Sequence, residues 1–257
     1  MGTRTISTKG SIYGKLSDNY YTFMYGRNSE RQVLDSNFDE SKVKREAKGH
    51  KGAGRFTTKP ETIEEQDMIP LPPPLEEVSP EEFAIAIASA KKSTPEDRRW
   101  RVDAHAATDY KGAVCLVSKG GSCVAKKQDG DIVSVCRTDT DAGVVRGSDL
   151  LDAAIREGGD RLDSFDGNWR FYLKNGFLPV SWTPFNEEYA PEGWNPLREV
   201  KEDVIFFVYV GKANVNSRLS LEEWKNQTPP CVGENGYDEA KAIRDGFISQ
   251  MEKANDK

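Results

Sequence analysis

Two histidines, His50 and His105, and four cysteines, Cys115, Cys123, Cys136 and Cys231, are what a chain of 257 residues offers to imidazole, thiol or zinc chemistry. The cysteines form no Cys-x-x-Cys pair, so too few ligands converge for zinc and no metal site is expected. His105 has no obvious nucleophile beside it, which sets Cys–His catalysis aside. The first three cysteines sit among Val, Leu and Ile and read as small buried hydrophobes. That leaves carboxylates as candidate proton acceptors. Asp163 and Asp166 flank a strand end, while Glu187 and Glu188 lie in the loop TPFNEEYAP. Any of the four suits the role, directly or through water, and spacing singles out none of them. The loop from Trp182 to Trp194 adds Phe185 and Tyr189 with Pro184 and Pro191. It reads either as an aromatic and acidic pocket for a cationic amine or as a loop folding its own aromatics over a sheet edge.

The elements that must position these residues are dense from Trp100 onward. Ala113–Val117, Ser122–Lys127 and Asp131–Cys136 read as three strands joined by turns at Lys119-Gly120-Gly121 and Gln128-Asp129-Gly130, an antiparallel meander. Leu150, Leu151, Ala154 and Ile155 form one stripe of a helix over Ser148–Glu157 that Gly158-Gly159 ends. Strand RLDSF, short helix NWRFYLKNG, strand FLPVSW and the apolar run Val204–Val210 follow. The order predicts an α+β fold, a mixed α/β sandwich around a mostly antiparallel central sheet.

The flanks are different in kind. Lys and Arg number 36 against 42 Asp and Glu, a net charge of −6, so no global positive field draws a phosphate backbone and nucleic-acid binding is not expected. Residues 1–60 nevertheless carry a net +6. Within them, residues 42–59 hold almost no aliphatic side chain and read as a flexible basic arm. Acidic, proline-rich residues 62–78 read as an extended linker. Ser79-Pro80-Glu81-Glu82 is a helix start with a capping box, followed by Phe83, Ala86, Ile87 and Ala90 on one face. A second capping box, Ser220 with Glu223, precedes a helix from about Asp238 with Ala240, Ile243, Phe247 and Met251 on one face. That stripe packs on its own domain or docks a partner. No run is long and apolar enough to span a bilayer, and the first residues lack a secretory h-region, so a soluble, cytoplasmic protein is expected.

Tyr172-Leu173-Lys174-Asn175-Gly176-Phe177 resembles the Tyr-x-x-x-Gly-Phe signature of the Gcn5-related N-acetyltransferase (GNAT) family. With the surrounding element order, the resemblance covers about Trp100 to Lys212. GDIVSVC, Gly158–Gly167, Val180–Asn195 and VIFFVYVGK are similar to the GNAT-like proteins of bacteriophages and prophages, and AGRFTTK to a spacer of phage morphogenesis proteins. The resemblance implies acetyl-CoA at the splayed end of the strand ending at Cys136, its pyrophosphate on the start of the following helix. Arg146, Gly147 and Ser148, with Asn168, are then cofactor-binding, and Val135 donates its amide to the acyl oxygen. Tyr172 becomes the general acid, and Glu187 and Glu188 the acceptor-side carboxylates. In the family's Arg/Gln-x-x-Gly-x-Gly/Ala motif, Gly147 falls on one glycine and Val145 stands at the other.

The function so implied is acetyl transfer to an unidentified amine in a phage-infected or lysogenic bacterial cell. The alternative is a silent GNAT-like binding module or a virion-associated accessory protein, with the basic arm or the C-terminal helix meeting a protein partner. The implied organisation is a flexible region 1–78, a short helix 79–95, a GNAT-like domain 96–212 and a helical extension 213–257.

Overall fold

The computed structural model describes residues 75–255; the basic arm, the aromatic segment before it and the proline run up to residue 74 lie outside the described residues. Strand β1, Leu75–Glu77, opens the described chain and is followed by helix α1, Pro80–Ser93, and the single turn α2, Glu96–Arg99. The meander β2, Val114–Ser118, β3, Cys123–Lys126, and β4, Ile132–Cys136, comes next. Helix α3, Gly147–Arg156, leads to β5, Arg161–Phe165, then α4, Trp169–Lys174, β6, Phe177–Thr183, and β7, Val204–Tyr209. Helices α5, Leu221–Gln227, and α6, Gly236–Asn255, complete it. The fold is α+β with antiparallel sheets, as the element order predicts.

The central sheet is in two pieces. One has the order β1-β2-β3-β4 and the other β5-β7-β6, each antiparallel throughout. A single parallel bridge, Asp131 to Arg161, joins β4 to β5. Leu75–Glu77 differs from the sequence expectation, because it is a strand paired with Leu116–Ser118 and not a free linker. Its sequence, Leu-Glu-Glu, has no strand signature; the pairing comes from a partner 40 residues further on.

α1 is built as its sequence dictates. The Ser79 side chain accepts from the Glu82 amide and the Glu82 carboxylate accepts from the Ser79 amide, with Pro80 at the first helical position. Phe83, Ile87 and Ala90 are buried against Tyr110, Cys115, Cys123, Ala125 and Cys136. All four cysteines are buried free thiols. Val124, between Cys123 and Ala125, alternates to the other face of the sheet and is also fully buried. α3 packs against β3 and β4.

The second sheet is covered on both faces, which explains the unbroken apolar run of β7. Phe207 meets Trp169 and Tyr172 of α4, whereas its neighbour Phe206 meets Tyr237 of α6 and packs with Cys231 and Ala240. The extension after β7 is therefore part of this unit. Trp224 of α5 is fully buried against Trp169, and the Ser181 hydroxyl donates to the Ala240 carbonyl of α6. Gly176 closes the turn between α4 and β6 at φ +89°, and a Cβ there would lie 2.7 Å from the Gly211 carbonyl carbon. Only glycine fits that approach.

Candidate active site

β4 carries an irregularity opposite Cys123 and Ala125, where the register slips. Ser134 takes up the extra residue at φ +56°, in the left-handed region that non-glycine residues rarely adopt. The Tyr110 hydroxyl, 2.8 Å from the Ser134 hydroxyl, holds it there. Beyond the Asp131–Arg161 bridge, β4 and β5 form no further pair. A cavity of about 1180 Å³ occupies the gap. Its walls come from Trp100–Asp103 and His105, Asp131–Val135, Asp163–Phe165, the loop 183–191 and the start of α6.

Tyr172 reaches this cavity from α4. Its ring packs on Phe171, Phe177 and Phe207, and its hydroxyl is hydrogen-bonded to Ser164. Burial pushes the phenol up to about 12, so it stays protonated at neutral pH. Packing and proton-donor roles are thus compatible in one side chain. Asn168 lines the same wall and donates from Nδ2 to the Ser164 hydroxyl at 2.9 Å.

The other predicted residues divide. Val135 and Glu187 line the cavity, but Arg146, Gly147, Ser148 and Glu188 do not. Glu187 is exposed and ion-paired with Lys201, and the exposed Glu188 donates its amide to the capping Asn186 side chain. Asp166 is held by the Lys225 ammonium at 2.8 Å, together with Asp203 at 2.6 Å. Asp163 alone of the four candidate carboxylates combines cavity access with partial burial. It accepts from the Tyr237 hydroxyl, and burial raises its pKa despite the nearby Arg244. His105, which the sequence left without a role, lines the outer wall beside Asp103.

The start of α3 was expected to seat a pyrophosphate. The Asp149 carboxylate accepts from the Arg146 amide at 2.8 Å and pairs with the Arg146 guanidinium at 3.0 Å. The Val144 and Val145 amides donate back to the Asp141 carbonyl, and Val145 is buried. The Asp141 carboxylate in turn accepts from Ser118 and the Ser122 amide. The Asp149 carboxylate thus takes the Arg146 amide and guanidinium, two donors that a phosphate on α3 would use.

No protein-family model, curated protein or solved structure matches the chain. The site rests on its own geometry. Among the described residues no helix is long and apolar enough to cross a membrane, and no three His, Cys, Asp or Glu side chains gather as a metal site.

The sequence reading predicts α6 as a helix but not that it brings Arg244 to the gap. Arg244, fully buried, bonds Asp131 at 3.0 Å and Asp245 at 3.0 Å, and its second terminal nitrogen has no partner. Asp131 sits at the one bridge between the sheets, so α6 closes the base of the gap. An arginine on the apolar side of a helix beside Ile243 and Phe247 was the only sequence signal.

Proposed function

We propose that this chain transfers an acyl group from a thioester, acetyl-CoA or a smaller relative, to an amine nitrogen. The observation that carries the reading is the parting of β4 from β5 after one bridge, with a buried tyrosine hydroxyl in the cavity between them. Two facing strand edges leave backbone groups for an extended, amide-bearing arm to pair with. The Val135 amide, next to the bulge, is assigned to the acyl oxygen as it gains charge. Tyr172 supplies the proton to the departing sulfur. The element order and the splayed strands are those the GNAT resemblance implies, and the likeness to phage-borne members supports a bacterial cell as the setting.

The Asp149 acid bound to Arg146 at the start of α3 favours a second reading, a GNAT-like module that binds and does not turn over. One experiment separates them. The full-length chain is given acetyl-CoA or the phosphate-free thioester S-acetyl-N-acetylcysteamine with a panel of amines, and thiol release is followed. Amine-dependent release is expected, with the two donors within about tenfold in kcat/KM because Asp149 already takes the Arg146 guanidinium. Tyr172→Phe should lower kcat about 100-fold with an unchanged circular dichroism spectrum, a typical loss for a general acid. A folded chain that releases no thiol above background with any amine would leave only the binding module.

A further inference from the structure

The acceptor side of the cavity carries more charge than acyl transfer to a plain amine requires. β5 presents adjacent residues to opposite faces. Ser164 lies with Tyr172 of α4, and Asp163 lies with Tyr237 of α6, so the proton donor and a carboxylate stand on the two sides of one strand edge at the gap. The groups facing Asp163 are Arg244, Tyr237 and Lys241 from α6, Lys127 from the end of β3, Asp131 from the start of β4 and Tyr172 from α4. An ordinary structural cluster would be neutralised within itself, and part of this one is. Arg244 is committed to Asp131 and Asp245, Lys201 to Glu187 and Arg101 to Glu202.

Lys127 and Lys241 are the exception. Both line the cavity, both are half-buried, and neither has a carboxylate within ion-pair distance among the described residues. A half-buried ammonium gives up hydration, and here no carboxylate pairs with it directly. Two of them beside one carboxylate define a complement of opposite pattern.

Resting on the acyl-transfer reading, we infer that the acceptor is a primary amine that also bears an anionic group, with its nitrogen at Asp163 and its carboxylate or phosphate at Lys127 and Lys241. The balance is simple. The ammonium gives one proton to the Asp163 carboxylate, and the nitrogen bonds to the acyl carbon as the carbon–sulfur bond breaks. A second nitrogen proton replaces the one Tyr172 gives to sulfur, and the third stays on the amide.

The test uses the full-length chain and matched acceptors: γ-aminobutyrate against butylamine, phosphoethanolamine against ethanolamine, and cadaverine as the dication. The anionic members should exceed their neutral partners at least about tenfold in kcat/KM, the worth of about 1.4 kcal/mol. In Lys241→Ala and Lys127→Ala that ratio should fall to within about threefold, through KM. Which of the two pairs shows the larger ratio separates a carboxylate from a phosphate. Asp163→Asn should lose about 100-fold in kcat and with it the acid limb of the pH–rate profile, while keeping the native spectrum. Equal rates within each pair, or a preference for cadaverine, would overturn the inference and leave acyl transfer standing. A lysine variant that lowers both members of a pair equally would overturn it too. No release with any amine would overturn acyl transfer itself, and this inference with it.

Discussion

Arg244→Met destabilises the fold by about 3–5 kcal/mol, the usual consequence of removing one member of a buried ion pair. Arg244 is completely buried, and its guanidinium bonds Asp131 at 3.0 Å and favours the charged form of Asp163. Methionine fills much of the space and packs on Phe206, so the loss comes from uncompensated carboxylates more than from a cavity. The sign of its pH dependence follows. Burial already raises Asp131 from the usual 3.8 to about 6, so the folded chain holds that proton more tightly than the unfolded one. Stability from such a group is complete below about 4 and is lost as pH rises through 6. Without Arg244 the carboxyl moves further up, so urea unfolding should show a larger penalty at pH 7.5 than at pH 5. A penalty under about 1 kcal/mol at both pH values would mean that water, and not Arg244, compensates these acids. Adding Asp131→Leu to Arg244→Met should recover much of the loss.

Trp224→Ala is the second large effect, again about 3–5 kcal/mol. The indole is fully buried and tilts against Trp169 with ring centroids 5.2 Å apart, while Trp169 donates from Nε1 to the Leu219 carbonyl at 3.0 Å. The contact holds the segment after β7 to α4, the helix that carries Tyr172. The variant should unfold at lower urea and lose near-ultraviolet dichroism from the stacked indoles. If the midpoint does not move, α5 is an appendage and the extension is held by α6 alone.

What was legible in the sequence is what short-range chemistry decides. Ser79 and Glu82 announced their capping box, Leu150 and Leu151 their helix face, and the alternation around Cys115 and Cys123 their burial. Strand β5 coincides with RLDSF because Gly158-Gly159 and Asp166-Gly167 bound it. Asp149 was visible as an acid at a helix start, but only the structure shows that it accepts from the Arg146 amide and pairs with its guanidinium. The choice among Asp163, Asp166, Glu187 and Glu188 was beyond local pattern. Lys225 settles Asp166 from 59 residues away, Lys201 settles Glu187 from a loop end, and Tyr237 and Arg244 mark out Asp163 from the last helix. β1 was misread for the same reason: nothing in Leu-Glu-Glu itself makes a strand.

The bond between Arg244 and Asp131 spans 113 residues. On a ribosome adding about 5–20 residues per second, on the order of ten seconds separate the synthesis of the two. The second sheet is complete only once Tyr209 is made, and from then until α6 arrives the nascent chain holds both sheets with the Asp131–Arg161 bridge alone between them. Over that stretch Asp131 is without its Arg244 partner. The cleft is thus a late product of translation, finished only when α6 arrives, and a chain stalled before Arg244 would expose two open strand edges to whatever else is folding nearby.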